Sequence, residues 1–167
     1  MRLALSVFCV FAIGILSAGL VEAQEVATDS DTNPDLAKIA EHLSFFGYSV
    51  EESEDVVLAT SEDWHNLFIQ AFPNGILFTS VYTNDSDFPI QREGVFEVLN
   101  SINSDAGLTR SYLTDDDEFL MEIIWTGAYD REQFSIFLRT GTDEMTNNLT
   151  AYWEWVLEHP GAVPETD

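Results

Sequence analysis

Basic side chains and cysteine are scarce in this sequence. Six Lys and Arg stand against 30 Asp and Glu, Cys9 is the one cysteine, and His42, His65 and His159 are the three histidines. One cysteine excludes an internal disulfide and a cysteine-based metal site. A net charge of −24 excludes nucleic acid and anionic membrane surfaces as partners, because both repel such a chain at long range. No two histidines have metal-binding spacing, no serine sits in a nucleophile-elbow motif, and no glycine-rich phosphate loop occurs. Basic partners and cations remain permitted. An acidic surface that keeps an exported domain soluble in a salty medium accounts for the charge most simply.

Residues 1–23 have the order of an export signal. Arg2 gives a positive start, Leu3 to Leu20 is uncharged and apolar, and Val21-Glu22-Ala23 is a small-residue cleavage site. An apolar run of about 18 residues can also just span a bilayer. The two glycines, two serines and the cleavage site within and after this run favour a signal removed after Ala23. The residues before Cys9, Leu5-Ser6-Val7-Phe8, lack the small side chains that a lipid-anchoring site needs. Arg2 and Glu22 leave with the signal, so residues 24–167 keep five basic and 29 acidic residues and the same net charge; Lys38 is their one lysine. Residues 24–33, "QEVATDSDTN", have nothing to bury and read as a flexible acidic tether. One domain is expected over 34–159, with 160–167 as a tail.

Asn33 caps and Pro34 starts a helix in which Leu36, Ile39, Leu43 and Phe46 share a face, and Gly47 stops it. From Tyr48 the apolar period falls to about two. "YSVEE", "VVLAT", "WHNLFIQAF" and "ILFTSVYT" read as strands, with Pro73-Asn74-Gly75 as the clearest turn. A second helix starts near Asp87 or Pro89, with Val95, Phe96, Leu99 and Ile102 on its apolar side and Gly94 weakening its first turn by about 1 kcal/mol. "LTRSYLT" and "FLMEIIWTGAY" are two more strands. A long helix then runs from Asp130 or Arg131 to about His159, striped by Phe134, Leu138, Met145, Leu149, Tyr152 and Val156, with Gly141 as a point of bending. Grouped strands between helices predict an α+β fold, an antiparallel β-sheet meander with helices packed on it in the order α-β(3-4)-α-β-β-α.

Two acidic stretches imitate calcium loops. Such a loop needs acids at positions 1, 3 and 5, glycine at 6 and glutamate at 12. Counting from Asp115, position 5 is Phe119 and position 12 is Thr126; counting from Asp29, position 6 is Pro34 and position 12 is Ala40. Both patterns fail. Asp115 to Glu118 read instead as the solvated turn of a hairpin. Asn84-Asp85-Ser86 and Asn148-Leu149-Thr150 fit the glycosylation pattern, which short polar triplets also meet by chance.

The sheet carries more information than the acids. Trp64, Phe68 and Phe72 alternate with Leu67, Ile69 and Ala71, and Phe119, Met121, Ile123 and Trp125 alternate with Leu120 and Ile124. Both faces of these strands are apolar. Helices cover one face, and the other calls for the long C-terminal helix, a second subunit or a ligand.

Three stretches, "LAKIAEHLSFFGYSVE", "LFIQAFPNGILFTSVY" and "VLNSINSDAGLTRSYLTDDDEFLMEIIW", resemble the YbjN family of bacterial proteins over about Asp35 to Glu158. The third joins an asparagine-bearing helix to a strand with Arg110 and Tyr112, an acidic hairpin and an apolar strand. The resemblance implies a fold like that of type III secretion chaperones, often dimeric, and a sensory-regulator label that carries no reaction. Those chaperones work in the cytoplasm, so the signal segment argues against carrying over an effector-chaperone role. The expectation is an exported, non-enzymatic domain, periplasmic or secreted, without cofactor, metal site or catalytic residue. It forms a homodimer and binds a protein or peptide through its sheet or a groove beside it, with Trp64, Phe68, Phe72 and Trp125 as the candidate partner surface. The rivals are an accessory domain without ligand, whose aromatics its own helices would cover, a carboxylate-dependent hydrolase with two facing acids, and a cation-binding protein.

Overall fold

The computed structural model describes residues 34–53, 55–73, 75–83 and 92–159. The signal, the tether, the tail, the Asn33 cap, Asn74, the Asn84 triplet and the Asp87 or Pro89 helix start lie outside these residues. The elements are α1 (Pro34–Phe45), β1 (Ser49–Glu52), β2 (Val56–Thr60), β3 (Leu67–Phe72), β4 (Gly75–Tyr82), α2 (Arg92–Asp105), β5 (Arg110–Leu113), β6 (Phe119–Trp125) and α3 (Arg131–Glu158). This is an α+β fold with four strands in the first meander. The six strands form one antiparallel sheet in the order β1-β2-β3-β4-β6-β5. The strand β6 lies between β4 and β5, so the last hairpin joins the sheet by its second strand.

Local chemistry sets the element ends. Gly47 takes φ +93°, and the N–H groups of Gly47 and Tyr48 donate back to the carbonyls of Ser44 and Leu43, both at 3.1 Å. This pair of reversed bonds ends α1 and throws Phe46 off its stripe, so Phe46 is half-exposed while Leu36, Ile39 and Leu43 are buried. At α3, Asp130 caps the helix by accepting from the Gln133 N–H at 2.9 Å. The helix then runs unbroken to Glu158, about 42 Å at 1.5 Å per residue, and passes Gly141 without interruption.

One core lies between the sheet and the three helices. Val57, Ala59, Leu67, Ile69, Ile76, Phe78, Phe119, Met121, Ile123 and Trp125 supply the sheet side. The helix α3 follows β6 across it: Phe134 and Phe137 meet Trp125 and Phe78, Gly141 meets Ile123, and Tyr152 stacks on Phe119 with ring centroids 4.1 Å apart. Each such fully buried side chain stabilises the fold by about 1.5–3 kcal/mol. The helix α2 buries Val95, Leu99 and Ile102, but Phe96 is exposed, one step of about 100° beyond the buried stripe. Gly94 has a packing reason: the Trp155 ring lies where a Cβ would sit, 2.5 Å away.

Candidate interaction surfaces

The acids Asp115 to Glu118 form the turn between β5 and β6. The Thr114 N–H donates to the Glu118 carbonyl at 2.9 Å, and the Glu118 N–H donates to Thr114 Oγ1 at 3.1 Å. Asp117 takes φ +62°, in the left-handed region that aspartate tolerates. Arg92, on α2, clamps the turn by donating from Nε to Asp117 Oδ1 at 2.7 Å and from its terminal nitrogen to the Thr114 carbonyl. One of the few arginines is thus spent on holding a hairpin.

The four aromatics singled out in the sequence do not share a surface. Trp125 is 9% exposed and sits in the core against Phe134 and Phe137, because β6 turns its odd-numbered residues toward α3. That corrects its assignment to a partner surface. Trp64 precedes β3 in a bend whose Asp63 and Trp64 N–H groups donate to Ser61 Oγ, and it faces the helix side, half-exposed. Phe68 and Phe72 lie together on the opposite side of the sheet.

That opposite side is a second apolar face. The register gives the cross-strand row Glu51, Leu58, Phe68, Thr79, Glu122, Arg110 and, beside it, the row Val56, Gln70, Leu77, Ile124. Directly paired residues share a face, so these rows form one surface with Phe72, Val81, Leu120 and Tyr112 around them. Phe68, Phe72, Tyr112 and Ile124 are 39, 43, 37 and 41% exposed. The buried cluster in which all three helices take part contains none of them. Its charges are Arg110 beside Glu122, which accepts from Tyr112 Oη at 2.7 Å, and Glu51 at the edge.

The helix side carries two clefts between α1 and α3. One, of about 370 Å³, is lined by Lys38, Glu41, His42, Phe45, Tyr129 and Arg131. The other, of about 180 Å³, is lined by Phe46, Tyr48, Trp64, Leu138, Arg139 and Thr142. His42, in the lining of the larger cleft, stacks at 4.9 Å on Phe46, in the lining of the smaller. Its ring nitrogens are both engaged, Nδ1 with Tyr129 Oη at 2.7 Å and Nε2 with Ser135 Oγ at 3.2 Å. Burial, aided by the Arg131 charge, lowers its pKa below the usual histidine value. The sequence pattern missed this region because Phe45 falls off the α1 stripe and isolated arginines carry no motif.

The other titratable groups tie elements together. His65 is buried, with Nδ1 on Tyr82 Oη and Nε2 on Thr146 Oγ1 at 2.9 Å. Burial lowers its pKa, opposed by a hydrogen bond with the Thr142 backbone. Burial raises the pKa of Tyr82. Glu144, on α3, accepts from the N–H groups of Gly107, Leu108 and Thr109 at 3.2, 2.9 and 3.0 Å and from Thr109 Oγ1 at 3.0 Å. Burial pushes this carboxyl up, but the four hydrogen bonds outweigh it and hold its pKa below the usual value. His159 stacks on Trp155 at the end of α3. Asn148, part of one glycosylation-like triplet, is buried and donates to Ser111 Oγ at 3.3 Å, so its amide serves the core.

A six-stranded antiparallel sheet with its three helices on one face defines the class, a small α+β fold. No family model matches the chain, and no curated protein matches it. Among solved structures, YbjN from E. coli is similar with a TM-score of 0.58 and 18% identity, over 75% of this chain and 94% of that one. The fold is therefore of YbjN type. A chain of the heterodimeric complex ExoU-SpcU, from the type III secretion system of Pseudomonas aeruginosa, is similar with a TM-score of 0.48 and 14% identity, over 68% of this chain and 96% of that one.

Proposed function

We propose that this chain is an exported, non-enzymatic protein-binding domain, regulatory or chaperone-like in role, whose uncovered sheet face joins two copies. The observation that carries the reading is the exposed apolar face of Phe68, Phe72, Tyr112 and Ile124 in a chain of net charge −24. Acids are dense in the rest of the sequence, yet on this face the register places Glu122, one strand in from the β5 edge, and Glu51 at the β1 rim. An accessory domain with no partner would cover such aromatics with its own helices. Six strands about 4.8 Å apart offer a flat footprint of about 500 Å², which side-chain relief raises toward the roughly 800 Å² per partner of a stable pair. Arg110 and Glu122, side by side, suit a two-fold contact in which each meets its opposite from the other copy.

A non-enzymatic role is supported by what the titratable groups do. His42 and His65 have both ring nitrogens in internal bonds, and the larger cleft carries one carboxylate, Glu41, where a carboxylate hydrolase needs two. Export rests on the apolar run Leu3 to Leu20 and the cleavage site ending at Ala23. Among the described residues no helix is long and apolar enough to cross a membrane. The test is light scattering on residues 24–167 at moderate salt, with and without Phe72→Asp. A doubled mass that returns to the monomer in the variant is expected. A monomeric parent, or a dimer indifferent to Phe72→Asp, overturns the reading.

A further inference from the structure

The basic residues of this chain are too few to be placed without consequence. Among the described residues two ion pairs form, Lys38 with Asp35 at 3.0 Å and Arg92 with Asp117 at 2.7 Å. Arg131 and Arg139 take part in neither. Both arginines line the α1/α3 clefts: Arg131 in the larger and Arg139 in the smaller. Arg131 places its guanidinium 5.0 Å from the ring centre of Phe45, which is 74% exposed. Trp64, 51% exposed, stands across from Arg139 in the smaller cleft. The smaller cleft has no carboxylate in its lining and the larger has Glu41 alone.

Three of the five cations of residues 24–167, Lys38, Arg131 and Arg139, therefore edge the pair of aromatic clefts that make up the α1/α3 groove. Arg131 has the Phe45 ring and Glu41 for neighbours, and Arg139 has no carboxylate in its cleft. An unpaired arginine beside exposed aromatic rings favours a carboxylate next to an apolar side chain, because the guanidinium fork matches a carboxylate and the rings bury the neighbour. The net repulsion of the whole chain works against any acidic ligand at long range, so attraction operates only within about a Debye length of the groove.

We infer that the α1/α3 groove binds an acidic, aromatic-bearing segment of a partner protein, with its carboxylates on Arg139 and Arg131 and its apolar side chain between Phe46 and Trp64. Arg131 and Arg139 are eight residues apart on α3, about 12 Å along the axis, which an extended peptide covers in about four residues. The segment thus carries two acids four positions apart with apolar residues between. The groove lies on the helix side, away from the sheet face of the proposed pairing, so either site can fail while the other stands.

The probe is a labelled, end-blocked pentapeptide with Asp at its first and last positions and Phe and Leu between, followed by fluorescence anisotropy with residues 24–167 at 50 mM salt. The expected result is saturable binding that weakens at least tenfold when both Asp are replaced by Asn, and at least tenfold in Arg139→Glu or Arg131→Gln. A peptide with Lys in place of Asp is expected to bind Arg139→Glu better than it binds the parent. Circular dichroism of each variant separates lost binding from lost folding. Equal binding of the Asn peptide, binding indifferent to both arginines, or no binding at 1 mM peptide overturns the inference. So does a doubled solution mass that Arg139→Glu abolishes, because a second copy would then occupy the groove.

Discussion

Cδ1 of Ile123 occupies the space beside Gly141: a Cβ built on that glycine would lie 2.5 Å from it. The long helix is uninterrupted here because glycine serves the packing rather than a bend. Ala is the better helix former by about 1 kcal/mol. The overlap costs about 1–3 kcal/mol, so Gly141→Ala is expected to lower stability on balance. Ile123→Val removes the offending methyl group, and the double variant is expected to recover most of what Gly141→Ala loses. Urea unfolding of the two single variants and the double variant measures this coupling; simple additivity would refute the steric account.

Glu144 holds the turn between α2 and β5 to the middle of α3 through four accepted hydrogen bonds. Its pKa is depressed on folding, so its contribution is complete above the unfolded value of about 4.5 and disappears as pH falls through the folded value. Glu144→Ala is expected to cost about 1–2 kcal/mol at pH 7, kept at the low end by solvent screening. The difference between parent and variant should shrink below pH 4. Chemical denaturation at pH 7 and pH 3.5 reads both, and an unchanged difference would place the loss in packing instead of charge.

The two buried histidines give a slope of the same sign at a higher pH. His42 and His65 both have folded pKa values below 6.5, chiefly through burial. The unfolded chain then binds more protons as pH falls through about 6.5, and stability falls with it. Carboxylates titrate mainly below pH 5, so the window from pH 7.5 to 5.5 isolates the histidines. The urea midpoint is expected to drop across that window, and His65→Gln to flatten the drop. A midpoint that rises on acidification would show that relief of the −24 net charge outweighs histidine burial.

The sequence made the element order legible because its cues are local. Gly47, Asp130, the Arg110 to Trp125 hairpin and the stripe of α3 each act within a few residues of themselves. The seven-residue gap in that stripe between Leu138 and Met145 is filled by Gly141, which no hydrophobic pattern registers. What was not legible depends on which side of the sheet the helices take. Period-two alternation sorts Phe68 from Ile69 but cannot say which becomes core when both are apolar. The same limit grouped Trp125 with Phe72, and it hid Arg131 and Arg139, whose meaning comes only from the clefts they line, one with Phe45 and the other with Trp64.

Trp125 and Phe72 should therefore part company in experiment. Trp125 is packed edge-on against Phe134 and Phe137, at 5.6 and 5.2 Å between ring centres, and its indole N–H is buried without a hydrogen-bond partner. Trp125→Ala is expected to cost about 3–5 kcal/mol by opening a cavity. Trp125→Phe loses part of that packing but also removes an unsatisfied donor that costs about 1–3 kcal/mol, so the net change should stay within about 1.5 kcal/mol. Phe72, 43% exposed, should tolerate Phe72→Ala within about 1 kcal/mol for the isolated fold. In the mass measurement the order reverses: Phe72→Ala weakens pairing of two copies, and Trp125→Phe leaves it unchanged. If Trp125→Phe disrupted pairing while Phe72→Ala did not, the contact surface would have to lie on the helix side of the sheet.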